Sequence, residues 1–178
     1  MLRDDGSVFG ESTDGPGLLA ALVDESVDVA GRAILVLGAG GAARAATHAL
    51  TDAGGRARVA ARRSDAAERA VRGRGATVAW SDVEPAVAAC DVVVNATPIG
   101  MGGEPPPFRA EALHADQVVV DLVYDPPHTP MMAAAAKAGA RTVNGLGMLV
   151  HQAAIAFELW TGVAAPVRAM QAAVGTKG

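Results

Sequence analysis

A glycine-rich turn between an apolar run and an Ala-rich stretch is the strongest chemical signal in the sequence. Residues 34–37 are all apolar, and Gly38, Gly40 and Ala43 follow them in a Gly-x-Gly-x-x-Ala spacing. The first glycine permits a tight turn, the second lets the backbone approach a pyrophosphate, and the alanine lets a helix pack closely on the strand. An anion then meets free N–H groups at the positive end of that helix. The pattern favours a dinucleotide site over a turn without a ligand, and the residues predicted to form it are Gly38, Ala39, Gly40, Gly41 and Ala42.

Two arginines follow the second apolar run, at the position where an NAD-specific domain usually has an acidic residue. They are Arg62 and Arg63, and Ser64 comes next. A guanidinium group can hold a 2′-phosphate with two hydrogen bonds and can stack on adenine, so these residues predict NADP rather than NAD. A solvated basic turn is the alternative interpretation, and Asp65 leaves NAD open.

Polar residues end three further apolar runs. Asn95 and Thr97 follow the first of these runs. Asp121 ends the second run, and Asn144 ends the third. The carboxyl ends of parallel strands form the edge where an open α/β sheet binds its ligand, although Asn95 and Thr97 could equally be turn or helix-cap residues. The three loops are expected to meet at the nicotinamide end of the site, and the further cofactor-binding residues predicted there are Thr97, Pro98, Val123, Gly145 and Met148.

The elements that must position these residues alternate along the chain. From residue 33 onward, short β-branched runs alternate with Ala-rich stretches, which is the pattern of βαβ units and a parallel sheet. The fold class is therefore predicted to be α/β, with a Rossmann-type, doubly wound, mainly parallel six-stranded sheet and helices on both faces. The predicted strands are 33–37, 58–61, 77–80, 92–95, 118–121 and 141–143, and the predicted helices between them are 41–53, 66–72, 83–88 and 130–138.

Two segments lie outside this alternation. Near the start of the chain, Val8 and Phe9 favour a short strand, and residues 16–25 favour a helix with a proline in its first turn. At the other end, residues 145–174 are predicted to be helical and are apolar around much of the helix surface. A helix of that kind requires burial on more than one side.

The composition excludes several classes of protein. Of the 178 residues, 51% are hydrophobic and 19% are charged, which excludes an intrinsically disordered chain. A net charge of −4, without a basic stripe and with 3% aromatic residues, argues against nucleic-acid binding. Cys90 is the only cysteine, so no disulfide can form within the chain, and the cytoplasm is the expected location. The sequence predicts neither a secretory signal nor a membrane span, and no metal site is expected.

Five motifs occur in order along nearly the whole chain. They are Ser-Thr-Asp-Gly at 12–15, the glycine-rich turn at 38–44, Asn-Ala-Thr-Pro-Ile-Gly-Met at 95–101, Asp-Leu-Val-Tyr-Asp-Pro at 121–126 and Gly-Leu-Gly-Met-Leu-Val-His-Gln-Ala-Ala at 145–154. In this order and spacing, they resemble the C-terminal, NADP-binding half of the shikimate dehydrogenase family. The resemblance implies a complete enzyme that reduces 3-dehydroshikimate to shikimate with NADPH, a reaction of chorismate and aromatic amino-acid biosynthesis.

The resemblance also implies roles for individual residues. Asp14 matches the family's catalytic and substrate-binding aspartate, and Tyr124 and Gln152 match residues that approach the substrate hydroxyls. Arg62 matches the arginine that holds the 2′-phosphate. Where the family has a later clamp arginine, this sequence has Ala66, so Arg63 is expected to take over that contact.

Family members carry an N-terminal domain whose motifs do not occur in these 178 residues. That domain supplies serines that hold the substrate carboxylate and a catalytic lysine, whereas the lysines here are Lys137 and Lys177, in unrelated contexts. Residues 1–25 are interpreted as a remnant strand and connecting helix of that domain, and residues 26–178 as the NADP-binding Rossmann domain with its C-terminal helices. The 178 residues by themselves are expected to bind NADP without oxidising shikimate.

Two alternatives stay open from the sequence. One is an NAD-dependent quinate/shikimate dehydrogenase. The other is a catalytically inactive nucleotide-binding module that self-associates. The expected partners are a small-molecule substrate, shikimate or 3-dehydroshikimate, together with the N-terminal domain or a second copy of the chain.

Overall fold

Six strands form a single sheet at the centre of the protein. The computed structural model describes residues 6–7 and 10–175, so the short strand predicted at Val8 and Phe9 lies outside the described residues. The strands are β1 (Ala33–Leu37), β2 (Arg56–Ala60), β3 (Ala76–Val78), β4 (Val92–Asn95), β5 (Val118–Asp121) and β6 (Arg141–Asn144).

Every strand in this sheet runs parallel to its neighbours, in the order β3-β2-β1-β4-β5-β6. The central strands β1, β4 and β5 are runs of buried Val, Ile and Leu, as strands covered on both faces require. The edge strand β3 has three residues and is largely exposed. The chain adds strands on one side of β1 and then returns to add β4 on the other side. An open α/β sheet binds its ligands at such a switch point.

Helices cover both faces of the sheet and confirm the predicted fold class. Residues of α1, α2, α3 and α6 pack in one hydrophobic cluster, and residues of α4 and α5 pack in a second cluster on the opposite face. The helices are α1 (Asp14–Asp24), α2 (Gly41–Asp52), α3 (Ser64–Val71), α4 (Val83–Ala88), α5 (Pro130–Lys137), α6 (Gly145–Thr161) and α7 (Val167–Ala173).

Strand pairing moves two of the predicted boundaries. β2 begins at Arg56 rather than at residue 58, because the Arg56 amide donates to Arg32 O at 2.9 Å and so starts the ladder with β1. The strand predicted at 77–80 ends at Val78, whose partner Ala60 is the last residue of β2. Trp80 begins a 3₁₀ turn (Trp80–Asp82) instead of ending a strand.

The stretch predicted to be helical at residues 145–174 consists of two helices. α6 ends at Thr161, and Gly162 adopts a left-handed conformation with φ of 69°, which glycine tolerates without steric cost. Pro166 then precedes α7. α6 has 17 residues, and no helix in the described part of the chain is long and apolar enough to cross a membrane.

α1 packs into the same core as the sheet. Leu18, Ala21 and Leu22 are buried in the cluster that covers the first face. Where α1 crosses α6, a Cβ atom on Gly17 would lie 2.7 Å from the Gln152 amide nitrogen, so the two backbones meet without a side chain between them. The assignment of residues 1–25 to a separate domain stays a prediction, and α1 shares its core with residues assigned to the other domain.

The Gly17 contact yields a test of this helix pair. Gly17→Ala is expected to lower the free energy of unfolding by about 1–3 kcal/mol, the range for inserting a methyl group into a filled interior. Gly10→Ala is the control, because a Cβ there meets nothing within 4 Å. Chemical denaturation of both variants measures the effect, and equal midpoints for Gly17→Ala and the parent would contradict the close crossing of α1 and α6.

Candidate functional site

A cleft of about 580 Å³ opens at the carboxyl edge of the sheet. It lies at the switch point, because the residues after β1, β2, β3 and β4 form its walls. The cleft brings together seven predicted cofactor-binding residues with five others. Its lining consists of Gly38, Ala39, Gly40, Ala61, Arg62, Arg63, Ala66, Trp80, Ala96, Thr97, Pro98 and Ile99.

The glycines of the turn after β1 serve different purposes. Gly38 has φ of 110°, and a Cβ there would lie 2.7 Å from the Ala96 carbonyl oxygen, so the end of β4 excludes any side chain. Gly40 is the N-cap of α2 and Gly41 is the first residue of that helix. A Cβ on either of these two would meet nothing within 4 Å.

This open space lies against the positive end of a helix. The first N–H groups of α2 have no partner within the helix and bear partial positive charge. A bare backbone, free N–H groups and room in front of them fit the pyrophosphate of a dinucleotide. Ala42 lies in the first turn of α2, beside the residues that line the cleft.

Two guanidinium groups lie on the wall formed after β2. Arg62 and Arg63 are exposed, and within the described residues neither makes an ion pair or a side-chain hydrogen bond. Asp65, the acidic residue that left NAD open, pairs with Arg69 on α3 at 2.8 Å, and this hydrogen bond lowers the pKa of the Asp65 carboxyl. The charge that faces the cleft is therefore positive. Ser64 is the first residue of α3 and lies beside Arg63.

A buried carboxylate joins the loops after β4 and β5. Asp121 is fully buried, and its Oδ1 accepts hydrogen bonds from Asn95 Nδ2 at 2.9 Å and from the Val123 amide at 3.1 Å. Its Oδ2 accepts from Thr129 Oγ1 at 2.6 Å. Thr129 in turn is the N-cap of α5, because its hydroxyl accepts from the Met132 amide.

Asn95 extends this network to the cleft. Its Oδ1 accepts from both the hydroxyl and the amide of Thr97, at 2.6 and 3.1 Å. Thr97 Oγ1 also accepts from the Ile99 amide at 3.2 Å. Thr97 thus lines the cleft while its hydroxyl shapes the turn, so it has both of the features expected from the sequence.

The loops after β5 and β6 lie beside the cleft rather than in its lining. Val123 is buried, and its carbonyl accepts from the Gly145 amide at 3.4 Å. A Cβ on Gly145 would overlap the Leu122 carbonyl, so only glycine fits where α6 begins. Met148 is buried in the core cluster of the first face.

The three predicted substrate residues are placed away from the cleft lining. Asp14 begins α1 and is half-buried, and the adjacent Thr13 hydroxyl donates to Gln152 Oε1 at 3.4 Å. The structure therefore brings the Asp14 region and Gln152 together at the contact of α1 with α6. Tyr124 is 50% exposed and makes no hydrogen bond within the part of the chain that the structure describes.

Several residues of the site lie outside those predicted from the sequence. Trp80 and Ile99 line the cleft, and Thr129 completes the Asp121 network. Thr129 had a readable signal, since Thr before Pro130 is a typical start of a helix. Trp80 had none, because it was assigned to the end of a strand.

Two family models match this chain. The one described as "Shikimate 5'-dehydrogenase C-terminal domain" matches residues 145–174, and the one described as "NADP oxidoreductase coenzyme F420-dependent" matches residues 33–124. The shikimate dehydrogenase (NADP(+)) of Methanopyrus kandleri is 44% identical to this chain over an alignment of 183 residues. The alignment covers 95% of this chain and 63% of that protein. This chain matches the C-terminal part of shikimate dehydrogenases. It spans about 63% of the length of the curated relatives that it matches.

Solved structures of the family have the same fold. Shikimate 5-dehydrogenase from Thermus thermophilus, in complex with NADP(H) and shikimate, gives a TM-score of 0.83 at 34% identity, covering 97% of this chain and 65% of that one. Quinate dehydrogenase from Corynebacterium glutamicum, in complex with NAD, gives a TM-score of 0.84 at 31% identity, covering 97% and 64%. Structures similar to this chain thus occur in complex with NADP(H) and in complex with NAD.

The Asp121 network yields a test by pH. Burial raises the pKa of the Asp121 carboxyl above its ordinary value of 3.8, against the opposing effect of the three hydrogen bonds that it accepts. The folded state thus binds this proton more tightly than the unfolded state does, and stability present at low pH is lost as pH rises through the folded pKa. In Asp121→Asn the side chain is a neutral amide, which has no carboxyl proton to lose.

The free energy of unfolding should therefore fall in the parent relative to Asp121→Asn as pH rises above 3.8, and the difference should level off once the carboxyl is ionised. Denaturation curves of the parent and of Asp121→Asn at a series of pH values measure this difference. A difference for Asp121→Asn that is independent of pH would show that this carboxyl is not perturbed.

Proposed function

We propose that this chain is the NADP(H)-binding part of a shikimate dehydrogenase, the enzyme that interconverts 3-dehydroshikimate and shikimate. One observation carries the proposal. A single cleft combines open space over Gly40 and Gly41 at the start of α2 with the guanidinium groups of Arg62 and Arg63, which make no ion pair with any residue that the structure describes. The first feature suits a pyrophosphate and the second suits a 2′-phosphate.

The residues of the cleft would hold the two ends of the cofactor in fixed positions. Gly38, Ala39 and Gly40 present the pyrophosphate site, and Arg62 and Arg63 bind the 2′-phosphate. Bound NADPH would supply the hydride that reduces the substrate carbonyl to an alcohol. The protein contributes orientation, because a correctly placed pair of reactants can lower a barrier by about 7–11 kcal/mol.

The buried network has a positioning role in this proposal. Asp121 holds the backbone at Val123 and, through Asn95, the turn at Thr97. We assign Thr97, Pro98, Val123, Gly145 and Met148 to the nicotinamide end of the cofactor. Asp14 is assigned to the substrate hydroxyl and its proton, and Tyr124 and Gln152 to binding of the substrate hydroxyls. The proposed location is the cytoplasm, which suits a chain whose Cys90 is a buried free thiol.

An NAD-dependent quinate/shikimate dehydrogenase is the second candidate. The similarity to quinate dehydrogenase in complex with NAD favours it. The pairing of Asp65 with Arg69 weighs against it, because that carboxylate is occupied and the groups facing the cleft are cationic. Relative affinity for the two dinucleotides separates the candidates.

The 2′-phosphate contact predicts a selective loss of affinity. Arg62→Ala should weaken NADP binding by about 1.5–3 kcal/mol, the range for hydrogen bonds to charged groups, and should leave NAD binding nearly unchanged. Arg56→Ala is a matched control, since Arg56 is an exposed arginine at the opposite end of β2. Isothermal titration calorimetry gives both affinities. Equal affinity of the parent for NADP and NAD would contradict the NADP assignment.

The open space over the glycine turn predicts a separation of folding from binding. Gly40→Val should abolish NADP binding, because its side chain enters the volume in which the pyrophosphate must lie. The fold should persist, since a Cβ at this position meets no protein atom within 4 Å. Gly10→Val serves as the control for a valine at an equally open glycine. Thermal melting with and without NADP measures both properties, and protection of Gly40→Val by NADP would refute the site.

A further inference from the structure

Trp80 is the aromatic residue of the cleft lining, in a chain with 3% aromatic residues. Ala60 and Val78 are the last paired residues of β2 and β3. Arg62 comes two residues after Ala60, and Trp80 comes two residues after Val78. Both residues line the cleft, where they follow the neighbouring strands β2 and β3. Trp80 also packs against the hydrophobic cluster of the second face, and it is half-buried. Its indole is thus supported by the core and accessible from the cleft.

The cleft near Trp80 offers few groups that could recognise the edge of a base. The neighbouring lining residues are Ala61, Arg62, Arg63 and Ala66, and no side-chain carboxylate, side-chain amide or imidazole is among the described residues that line this cleft. The two guanidinium groups are hydrogen-bond donors only. The Thr97 hydroxyl already donates to Asn95 Oδ1 and accepts from the Ile99 amide. The second lone pair of this hydroxyl is therefore the one side-chain acceptor that the described lining leaves for an exocyclic amine on a purine.

We propose that Trp80 is the surface on which the purine ring of the dinucleotide stacks, so that the base is recognised by its face and not by its edge. This inference rests on the proposed function, because it places the adenine beside the arginines that bind the 2′-phosphate. Stacking is available to any flat base, whereas edge recognition distinguishes bases. The site should consequently select for the 2′-phosphate and tolerate replacement of adenine by hypoxanthine.

The native indole is itself the first probe. The chain has two tryptophans, and Trp160 is 79% exposed near the end of α6, outside the cleft lining. Trp160→Phe leaves Trp80 as the single tryptophan. Adenosine 2′,5′-bisphosphate, which carries the purine and the 2′-phosphate without nicotinamide, should quench its fluorescence saturably. Nicotinamide mononucleotide, which lacks both, should not.

Affinity provides a second, independent readout. Trp80→Leu should weaken the binding of adenosine 2′,5′-bisphosphate about 5- to 150-fold, the range for loss of one stacking aromatic residue. Trp80→Phe should keep most of the parent's affinity, because a phenyl ring still stacks on the base. Inosine 2′,5′-bisphosphate should bind the parent within about threefold of the adenosine compound, since stacking tolerates a change of base.

The outcomes separate this inference from the proposed function. If calorimetry shows that the parent does not bind NADP, both fail. If the parent binds NADP but Trp80 fluorescence does not respond to adenosine 2′,5′-bisphosphate, the stacking role alone is overturned. A Trp80→Leu variant with parental affinity, or strong rejection of the inosine compound, overturns it as well.

Discussion

The ends of β1 and β4 approach each other so closely that no side chain fits between them. The turn after β1 must pass the Ala96 carbonyl, and Gly38 meets this requirement with a φ of 110° and no Cβ. The path of this turn sets where α2 begins and leaves its first N–H groups facing open space. The cleft exists because two neighbouring strands of a parallel sheet lead their chains away in different directions at this point.

A buried charge maintains the other wall of the cleft. Asp121 lies between the turns after β4 and β5, where burial opposes its ionisation and three donors favour it. Burying such a carboxylate without its hydrogen-bond partners would cost free energy, so the folded structure is most stable with all three donors in place. Asn95 and Thr129 extend the effect to the turn at Thr97 and to the start of α5. The cleft is thus shaped by one polar network, while the sheet beneath it is built from apolar side chains.

The contact of α1 with α6 positions residues that are assigned to substrate binding. Gly17 lets the two helices cross with their backbones in contact, and the Thr13 hydroxyl reaches Gln152 across this interface. Further along, His151 Nε2 lies 2.7 Å from the Asp24 carboxylate. These contacts place the start of α1, with Asp14, against the helix that carries Gln152. Two of the assigned substrate residues, Asp14 and Gln152, therefore lie on one pair of packed helices.

Local sequence patterns are enough to predict the fold class, the succession of strands along the chain, and the glycine turn with Arg62 and Arg63. These features depend on local periodicity and on residues adjacent in the chain. The apolar runs of Val, Ile and Leu, for example, indicate buried parallel strands. Three further features depend on the folded structure: Arg56 starts β2, Trp80 faces the cleft, and Thr129 binds Asp121. Each of these depends on a partner that is distant in sequence or belongs to a neighbouring strand. Pairing and burial select that partner only after the sheet has formed, so no local pattern contains it.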